Sequence, residues 1–210
     1  MKVVIAGAGT YGAVYHKYIS EQGIHEVLGF ADDDPTKIGT KICGLEVICE
    51  TNNYKKLKEI GIEGVFCPIG NNKIRYKILA GFSDNGFATP GFIHDSVIIP
   101  EDIIIEKGVY ILPGSIIMPF VNIHDYVMIS MGVKIAHHTI LRKASFISTG
   151  ANIGANIDFG EYAFAGIGCT LTTGVESIGN GATIGAGAVI IRDVPANAVV
   201  VGNPGRILEK

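Results

Sequence analysis

The sequence contains no apolar run of the length that a membrane-spanning helix requires. Such a helix needs roughly eighteen or more consecutive apolar residues, and the apolar segment VIIPEDIII is interrupted by Pro100, Glu101 and Asp102. The first six residues, MKVVIA, lead directly into a glycine motif, which indicates a first strand and not a signal peptide. The sequence therefore predicts no membrane insertion.

Cysteine and clustered positive charge are also scarce. The four cysteines show no CxxC spacing, which is typical of a reduced cytoplasmic protein. A formal net charge of −3 without a basic cluster argues against nucleic acid as a partner. No G-x-S-x-G motif, Cys/His arrangement or set of ligands with metal spacing is present, so the sequence predicts no metal site.

An aliphatic repeat of six residues organises the chain from residue 93 onward. Fourteen consecutive hexads begin with a residue of this column, one extra residue then enters, and the period resumes. The column comprises Ile93, Ile99, Ile105, Ile111, Ile117, Ile123, Ile129, Ile135, Leu141, Ile147, Ile153, Phe159, Ala165 and Leu171, followed by Ile178, Ile184 and Ile190.

A period of six fits neither an α-helix, with a period of 3.6, nor a single strand, with a period of two. It is the signature of a parallel β-helix, in which each hexad forms one short side of a coil and the repeated aliphatic fills a continuous interior column. The hydrophobic fraction of 48% and the mean hydropathy of +0.36 follow from this column. After Ile190 the pattern predicts a closing strand and a C-terminal cap.

The first part of the chain has the alternation of a small α/β domain. A strand over residues 2–9 leads into Gly7, Gly9 and Gly12, which form G-x-G-x-x-G before a helix that extends to about Ser20. Glycines at this spacing permit a tight turn and the approach of a ligand to backbone N–H groups at a helix N-terminus. The remaining pattern predicts strands over 26–31, 64–68 and 89–94, a hairpin over 36–50, and helices over 53–60 and 73–83.

Polar residues follow two of these strands at the edge where α/β sheets bind ligands. Asp32 and Asp33 come directly after the second strand, about twenty residues past the last glycine, where a ribose-binding acid lies in dinucleotide folds. Gly70 and Asn71 belong to the segment PIGNN at the end of a later strand. The predicted division is a ligand-binding domain over residues 1–92 and a β-helix domain over 93–210.

Two adjacent histidines lie at a predicted corner of the β-helix. His137 and His138 are the third and fourth residues of the Ile135 hexad. If three hexads make one coil, His137 lies between Pro119 and Ala155, which are too small to cover it. A solvent-reachable imidazole there is suited to act as a general base, although an exposed His-His pair without function fits the spacing equally well.

The whole chain resembles the NeuD/PglD-like family of bacterial sugar acetyltransferases, which join a small Rossmann-like domain to a left-handed β-helix of hexapeptide repeats. The family includes N-acetyltransferases of nucleotide-activated aminosugars and O-acetyltransferases of sialic acid. The segments that carry the resemblance are VIAGAGTYG, GFADDDPTKIG, PIGNNKIR, IAHHTIL, ISTGANIGANIDFGEYAFAGIG, IGAGAVIIRDVP and VVVGNPGRI.

The resemblance implies a homotrimer with active sites between subunits and acetyl-CoA as the donor. His137 matches the catalytic histidine, and Ala155 matches a position whose backbone N–H stabilises the oxyanion. Ile167 and Ala186 match cofactor-contacting positions. In the N-terminal domain, Gly9, Thr10 and Tyr11 match the turn that contacts the nucleotide of the acceptor, and Asp32 and Asp33 match its uracil- or ribose-contacting acids.

Three residues depart from the family pattern. His138 replaces the Asp or Glu that usually follows the catalytic histidine and orients it, and we assign it to the catalytic pair. Phe146 stands where relatives have a second, cofactor-contacting histidine, and Ser130 replaces a common asparagine.

The favoured function is acetyl-CoA-dependent N-acetylation of a nucleotide-activated aminosugar in bacterial surface glycan biosynthesis. Two alternatives remain within this architecture: O-acetylation of sialic acid or another glycan precursor, and an inactive sugar-nucleotide-binding trimer. An NAD-dependent enzyme is disfavoured, because G-x-G-x-x-G alone is a weak signal.

Overall fold

The computed structural model describes residues 1–208. The chain divides into two compact units, Met1–Gly91 and a second unit that begins at Phe92. Each unit is built from its own secondary structure and has its own core.

The first unit is a five-stranded sheet with three helices. The sheet has the order β3-β4-β2-β1-β5; β3 is antiparallel to β4, and the other pairs are parallel. Its elements are β1 (Lys2–Ala6), α1 (Thr10–Gln22), β2 (Glu26–Ala31), β3 (Lys41–Ile42), β4 (Leu45–Cys49), α2 (Tyr54–Glu59), β5 (Gly64–Phe66) and α3 (Asn72–Asp84).

Capping residues define the end of α1 and the start of α3. Gly23 terminates α1 with a φ of 70°, a left-handed conformation that favours glycine, and its N–H donates to Ile19 O. Asn71 begins α3, because its side chain accepts a hydrogen bond from the Ile74 N–H. A side-chain N-cap of this kind contributes about 1 kcal/mol.

The second unit is a three-sided parallel β-helix made of two-residue strands. Strands pair with partners one coil away; Lys134, for example, pairs with Ile116 and Asn152, eighteen residues before and after it. The strands are β6 (Phe92–Ile93), β7 (Ile104–Ile105), β8 (Tyr110–Ile111), β9 (Ile116–Ile117), β10 (Asn122–Ile123), β11 (Met128–Ile129), β12 (Lys134–Ile135), β13 (Ile140–Leu141), β14 (Phe146–Ile147), β15 (Asn152–Ile153), β16 (Asp158–Phe159), β17 (Phe164–Ala165), β18 (Thr170–Leu171), β19 (Ser177–Ile178), β20 (Thr183–Ile184) and β21 (Val189–Ile190).

The three sides follow one another in every coil. Side 1 carries β6, β8, β11, β14, β17 and β20; side 2 carries β9, β12, β15, β18 and β21; and side 3 carries β7, β10, β13, β16 and β19. The edge between two sides is named here by their numbers, so the 2–3 edge follows side 2.

The predicted aliphatic column is the core of this unit. Ile111, Ile129 and Ile147 are fully buried above one another on side 1, and the other two sides repeat the arrangement. The smaller residues four positions after each column residue, such as Val133 and Ala151, are also buried in it. The extra residue between Leu171 and Ile178 increases the spacing of the pairs that span it to nineteen residues, as in Phe159 with Ile178.

Two short strands close the described part of the β-helix. β22 (Val199–Val201) pairs in parallel with β20, and β23 (Arg206–Ile207) returns antiparallel to β22. The predicted closing strand is therefore present.

The fold class predicted from the sequence, a small Rossmann-like domain followed by a β-helix, is confirmed. The predicted strand over residues 89–94 is wrong as part of the first sheet. Ala88 forms only an isolated bridge with Gly64, and Phe92–Ile93 pair with Tyr110–Ile111 in the β-helix. Ile93 already belongs to the hexad column, so the segment pairs with the next coil.

Candidate active site

The predicted acceptor-binding residues meet at one edge of the first sheet. Gly9, Thr10 and Tyr11 follow β1, Asp32 and Asp33 follow β2, and Gly70 and Asn71 follow β5. Because these strands are parallel neighbours, their carboxyl ends lie at the same edge. This is the position at which open α/β sheets bind ligands.

The glycine turn leaves open space at the start of α1. Gly7 has a φ of 105°, and a Cβ on Gly12 would lie 2.1 Å from Gly7 O, so both positions require glycine. A Cβ on Gly9, in contrast, would meet nothing within 4 Å. Gly9 begins α1 without a side-chain cap, which leaves a helix N-terminus open to an anionic group.

Asp32 holds this turn in place. Its carboxylate accepts hydrogen bonds from the Ala8 N–H at 2.7 Å, the Asp34 N–H at 2.9 Å and Lys37 Nζ at 3.0 Å. Burial acts to raise the pKa of Asp32, but the hydrogen bonds from Asp34, Lys37 and Ala8 outweigh burial and lower it. Ala8 and Lys37 were not identified from the sequence, in which an acid after β2 predicts a ribose contact.

Asp33 and Asn71 also make contacts within the unit. Asp33 Oδ1 accepts from the Thr51 N–H at 2.9 Å and from Thr51 Oγ1 at 2.7 Å. Asn71 uses Oδ1 to cap α3. Both residues are exposed, as is Gly70, and their roles toward an acceptor stay predictions.

His137 and His138 lie on the 2–3 edge of the β-helix, between β12 and β13. His137 is half-buried, and His138 is exposed with a φ of 60°. One coil further on, the Asn156 N–H donates to His137 O at 3.1 Å. Within residues 1–208 the Ala155 N–H has no hydrogen-bond partner, so the structure leaves free the donor to which the family resemblance assigns oxyanion stabilisation.

The two imidazoles contact each other, and Phe120 extends the contact. The Nδ1 atoms of His137 and His138 are 3.0 Å apart. The rings of Phe120 and His138 are in tilted contact, with centroids 4.7 Å apart and an interplanar angle of 35°. Sequence reasoning missed Phe120, although a coil of eighteen residues places it next to position 138.

Of the four predicted cofactor-contacting residues, only Ala155 lies on the same edge as the histidines. Ile167 and Ala186 are exposed on the 1–2 edge, where the Gly187 N–H donates to Ile167 O at 2.8 Å. Phe146 lies on side 1, is 8% exposed and packs edge-to-face against Phe164 at 5.4 Å. The site residues of a single chain are thus divided between two edges.

Arginines line a cavity of about 270 Å³ at the C-terminal end of the described β-helix. Arg192 and Arg206 belong to its wall, together with Ile190, Val200 and Ile207. The carboxylate of Asp193 also belongs to the wall, so the cavity is lined by groups of both charges. The sequence analysis did not single out either arginine.

Across residues 1–208, no cluster of three or more His, Cys, Asp or Glu side chains could hold a metal ion. No helix within the same range is long and apolar enough to cross a lipid bilayer.

Comparison with protein families and solved structures supports the resemblance seen in the sequence. Residues 2–82 match the family profile of the PglD N-terminal domain. The acetyltransferase domain of PglB from Neisseria gonorrhoeae, solved with acetyl coenzyme A, is 29% identical to this chain with a TM-score of 0.90. That alignment covers 99% of this chain and 98% of the PglB domain.

This chain is a relative of the PglD-like sugar acetyltransferases. A second full-length relative is GDP-perosamine N-acetyltransferase from Escherichia coli O157:H7, 28% identical over 98% of this chain and 96% of that protein. A third is the Caulobacter crescentus GDP-perosamine N-acetyltransferase, 25% identical with a TM-score of 0.79, over 100% of this chain and 98% of that one. It was solved as a histidine-to-alanine variant with CoA and GDP-perosamine.

The predicted family resemblance is confirmed, and the relatives belong to the predicted enzyme class of acetyl-CoA-dependent sugar acetyltransferases. The left-handed β-helix of hexapeptide repeats is the fold of this family. Other curated relatives are longer: the chain spans 55% of the length of serine acetyltransferase 2 from Arabidopsis thaliana, to which it is 26% identical.

Proposed function

We propose that this PglD-like chain transfers the acetyl group of acetyl-CoA to the amine of a nucleotide-linked aminosugar. The observation that carries the proposal is the alignment, over nearly the whole chain, with two GDP-perosamine N-acetyltransferases. We propose that this reaction belongs to surface glycan biosynthesis and takes place in the cytoplasm.

In this proposal the first unit binds the nucleotide of the acceptor. The open space at Gly9 admits a phosphate to the N-terminus of α1, where backbone N–H groups and the helix dipole favour negative charge. Thr10 and Tyr11 extend this turn, and Asp33, Gly70 and Asn71 lie beside it at the same sheet edge. Asp32 supports binding indirectly, because its carboxylate accepts a hydrogen bond from the Ala8 N–H and so holds the glycine turn in position.

The second unit supplies the chemistry. His137 accepts the proton of the acceptor's amine while the nitrogen attacks the thioester carbon, and the Ala155 N–H stabilises the negative charge that develops on the thioester oxygen. A C–N bond forms, the C–S bond breaks, and the proton held by His137 passes to the departing CoA thiolate. The products are the amide and free CoA.

The separation of the site residues supports a homotrimer. The histidines lie on the 2–3 edge, and Ile167 and Ala186 lie on the 1–2 edge, so one full side of the coil separates them. A side of six residues spans at most about 20 Å. If a second copy places its 1–2 edge beside the histidines, the histidines of one copy and Ile167 and Ala186 of the other contact one acetyl-CoA.

Light scattering tests this assembly. It should give three times the chain mass at micromolar concentration, and a monomer would contradict the trimer.

The proposed function is tested by measuring CoA release. The protein is incubated with acetyl-CoA and GDP-, UDP- and dTDP-linked aminosugars, each beside its counterpart with a hydroxyl in place of the amine. We expect acceptor-dependent release with at least one amine and none with its hydroxyl counterpart. Release with a hydroxyl acceptor alone would replace the proposal with O-acetylation, and no release with any acceptor would favour a binding protein.

A further inference from the structure

The hydrogen bond between His137 and His138 restricts which nitrogen of each ring carries a proton. Their Nδ1 atoms are 3.0 Å apart, and the ring planes are at 89°. A neutral imidazole has one N–H donor and one lone-pair acceptor. The bond therefore needs a proton on one of the two Nδ1 atoms and a lone pair on the other, which gives the neutral pair two states.

Only one of these states provides a base at position 137. When His137 donates its Nδ1–H to His138, the lone pair of His137 is on Nε2, free to accept a proton. When His138 donates instead, His137 carries its proton on Nε2 and cannot act as a base there. The state of the pair thus decides whether His137 is ready to react.

His138 is oriented by its backbone and by Phe120. It has a φ of 60°, and its ring packs at a tilt against that of Phe120, which has a φ of 65° in the preceding coil. This contact limits rotation of the imidazole whose Nδ1 contacts His137. The face of an aromatic ring also favours a nearby positive charge, so Phe120 accommodates His138 when the pair takes up a proton.

The corner positions next to the contact between His137 and His138 carry no charged side chain. The corner positions one coil before and after are Pro119, Phe120, Ala155 and Asn156, none of which is charged. Within residues 92–208 neither imidazole forms an ion pair with a carboxylate. On the flanking sides, Lys134 precedes the corner on β12, and Arg142, after β13, is paired with Asp158 through two hydrogen bonds.

We propose that His138, held by Phe120, is a positioning residue that fixes His137 in the tautomer with the lone pair on Nε2. When His137 takes the acceptor's proton, His138 accepts the hydrogen bond of the resulting imidazolium. Two aromatic rings thus perform the orientation that a carboxylate performs in Ser-His-Asp sites. The inference rests on the proposed function, in which His137 is the base.

The tautomer is measured directly by ¹⁵N NMR of the histidine rings, assigned with His137→Ala and His138→Ala. In the wild type, at a pH where the pair is neutral, His137 should have a protonated Nδ1 and an unprotonated Nε2. In His138→Ala, His137 should show both tautomers. A protonated Nε2 on His137 in the wild type, or an unchanged tautomer in His138→Ala, would overturn the proposal.

This readout needs no acceptor, so it separates the two claims. If no acceptor supports acetyl transfer but the tautomer depends on His138 as expected, the proposed function fails and the tautomer assignment stands. If transfer occurs but His137 keeps its tautomer without His138, the proposed function stands and the positioning role fails.

Kinetics provide a second test, with a rescue variant. His138→Ala should lower kcat by about 10-fold, the effect of one hydrogen bond, with the KM for acetyl-CoA unchanged. His138→Asn should retain most of kcat, because asparagine tolerates a positive φ and its Oδ1 accepts the Nδ1–H. Asn197→Ala is the matched control, since Asn197 is exposed with a φ of 58° at another corner, and it should keep full activity. Equal losses in His138→Ala and His138→Asn would contradict the acceptor role.

Discussion

His137 is the residue on which the proposed chemistry depends. Removing a general base costs about 10²–10⁴-fold in rate, because the proton then has no positioned acceptor. We expect His137→Ala to lose nearly all turnover in a CoA-release assay while calorimetry shows unchanged binding of acetyl-CoA.

His124 provides the matched control for this substitution. It is another half-exposed histidine of the β-helix, and its Nδ1 lies 3.2 Å from Glu106 Oε1 on side 3. His124→Ala should keep its turnover. If His138→Ala were the inactive variant and His137→Ala stayed active, the corner would have been assigned one residue out of register.

Gly9 is expected to matter for binding and not for folding. Its φ of −112° is accessible to any residue, and an added Cβ would meet nothing within 4 Å. A ligand phosphate at the helix N-terminus would, however, collide with that methyl group, at a cost of about 1–3 kcal/mol. Gly9→Ala should therefore leave Tm unchanged and raise the KM for the acceptor by at least about 5-fold.

Gly12→Ala is the contrasting variant, since its Cβ would lie 2.1 Å from Gly7 O. It should lower Tm. A Gly9→Ala protein with normal acceptor kinetics would mean that the phosphate does not approach this turn.

At the scale of secondary-structure elements, Asp32 joins the end of β2 to the turn between β1 and α1. Ala8 is buried, so its N–H loses its partner in Asp32→Ala, at a cost of about 1–3 kcal/mol. We expect faster amide exchange of Ala8 and Asp34 in hydrogen-exchange measurements. Asp84→Asn, an exposed acid at the end of α3, should leave these amides unchanged.

The contribution of Asp32 to the free energy of unfolding should decrease at low pH. The pKa of this carboxyl is lower in the folded chain than in the unfolded chain, where it is about 3.9. Its stabilisation is therefore present above that value and is lost as the pH falls through the folded pKa. The stability difference between the wild type and Asp32→Asn should shrink below about pH 4, and a difference that stays constant through this range would contradict the assignment.

The aliphatic column is the element that determines whether the β-helix forms. Ile129 is fully buried in it, and an aspartate there would be a charge without a partner. Ile129→Asp should abolish soluble, folded protein. Ile104→Asp is the matched control, because Ile104 is 63% exposed on β7, and this variant should retain the β-sheet circular dichroism signal. A folded Ile129→Asp protein would show that the inward register is wrong.

At the scale of the whole molecule, the sequence was most informative where one residue type repeats. The hexad column determines the period, the inward positions and the place of the inserted residue, because each coil repeats the same requirement for a buried aliphatic. The strand over residues 89–94 was mispredicted because an extended segment does not specify its partner. The contact between Asp32 and the turn could not be predicted for a similar reason: a carboxylate after β2 suits a ribose and a turn equally well, and only the structure provides its 2.7 Å distance to the Ala8 N–H. A contact of Asp32 with the acceptor stays a prediction.

The central claim is the transfer of acetyl to an amine, and product analysis tests it most directly. The chain is incubated with ¹³C-acetyl-CoA and the nucleotide-linked aminosugar that gives the fastest CoA release, and the product is examined by NMR before and after mild hydroxylamine treatment. The account predicts one acetyl group on the sugar nitrogen, as an amide that survives hydroxylamine, and no such product with His137→Ala. An acetyl ester, or labelled free acetate as the only product, would contradict it.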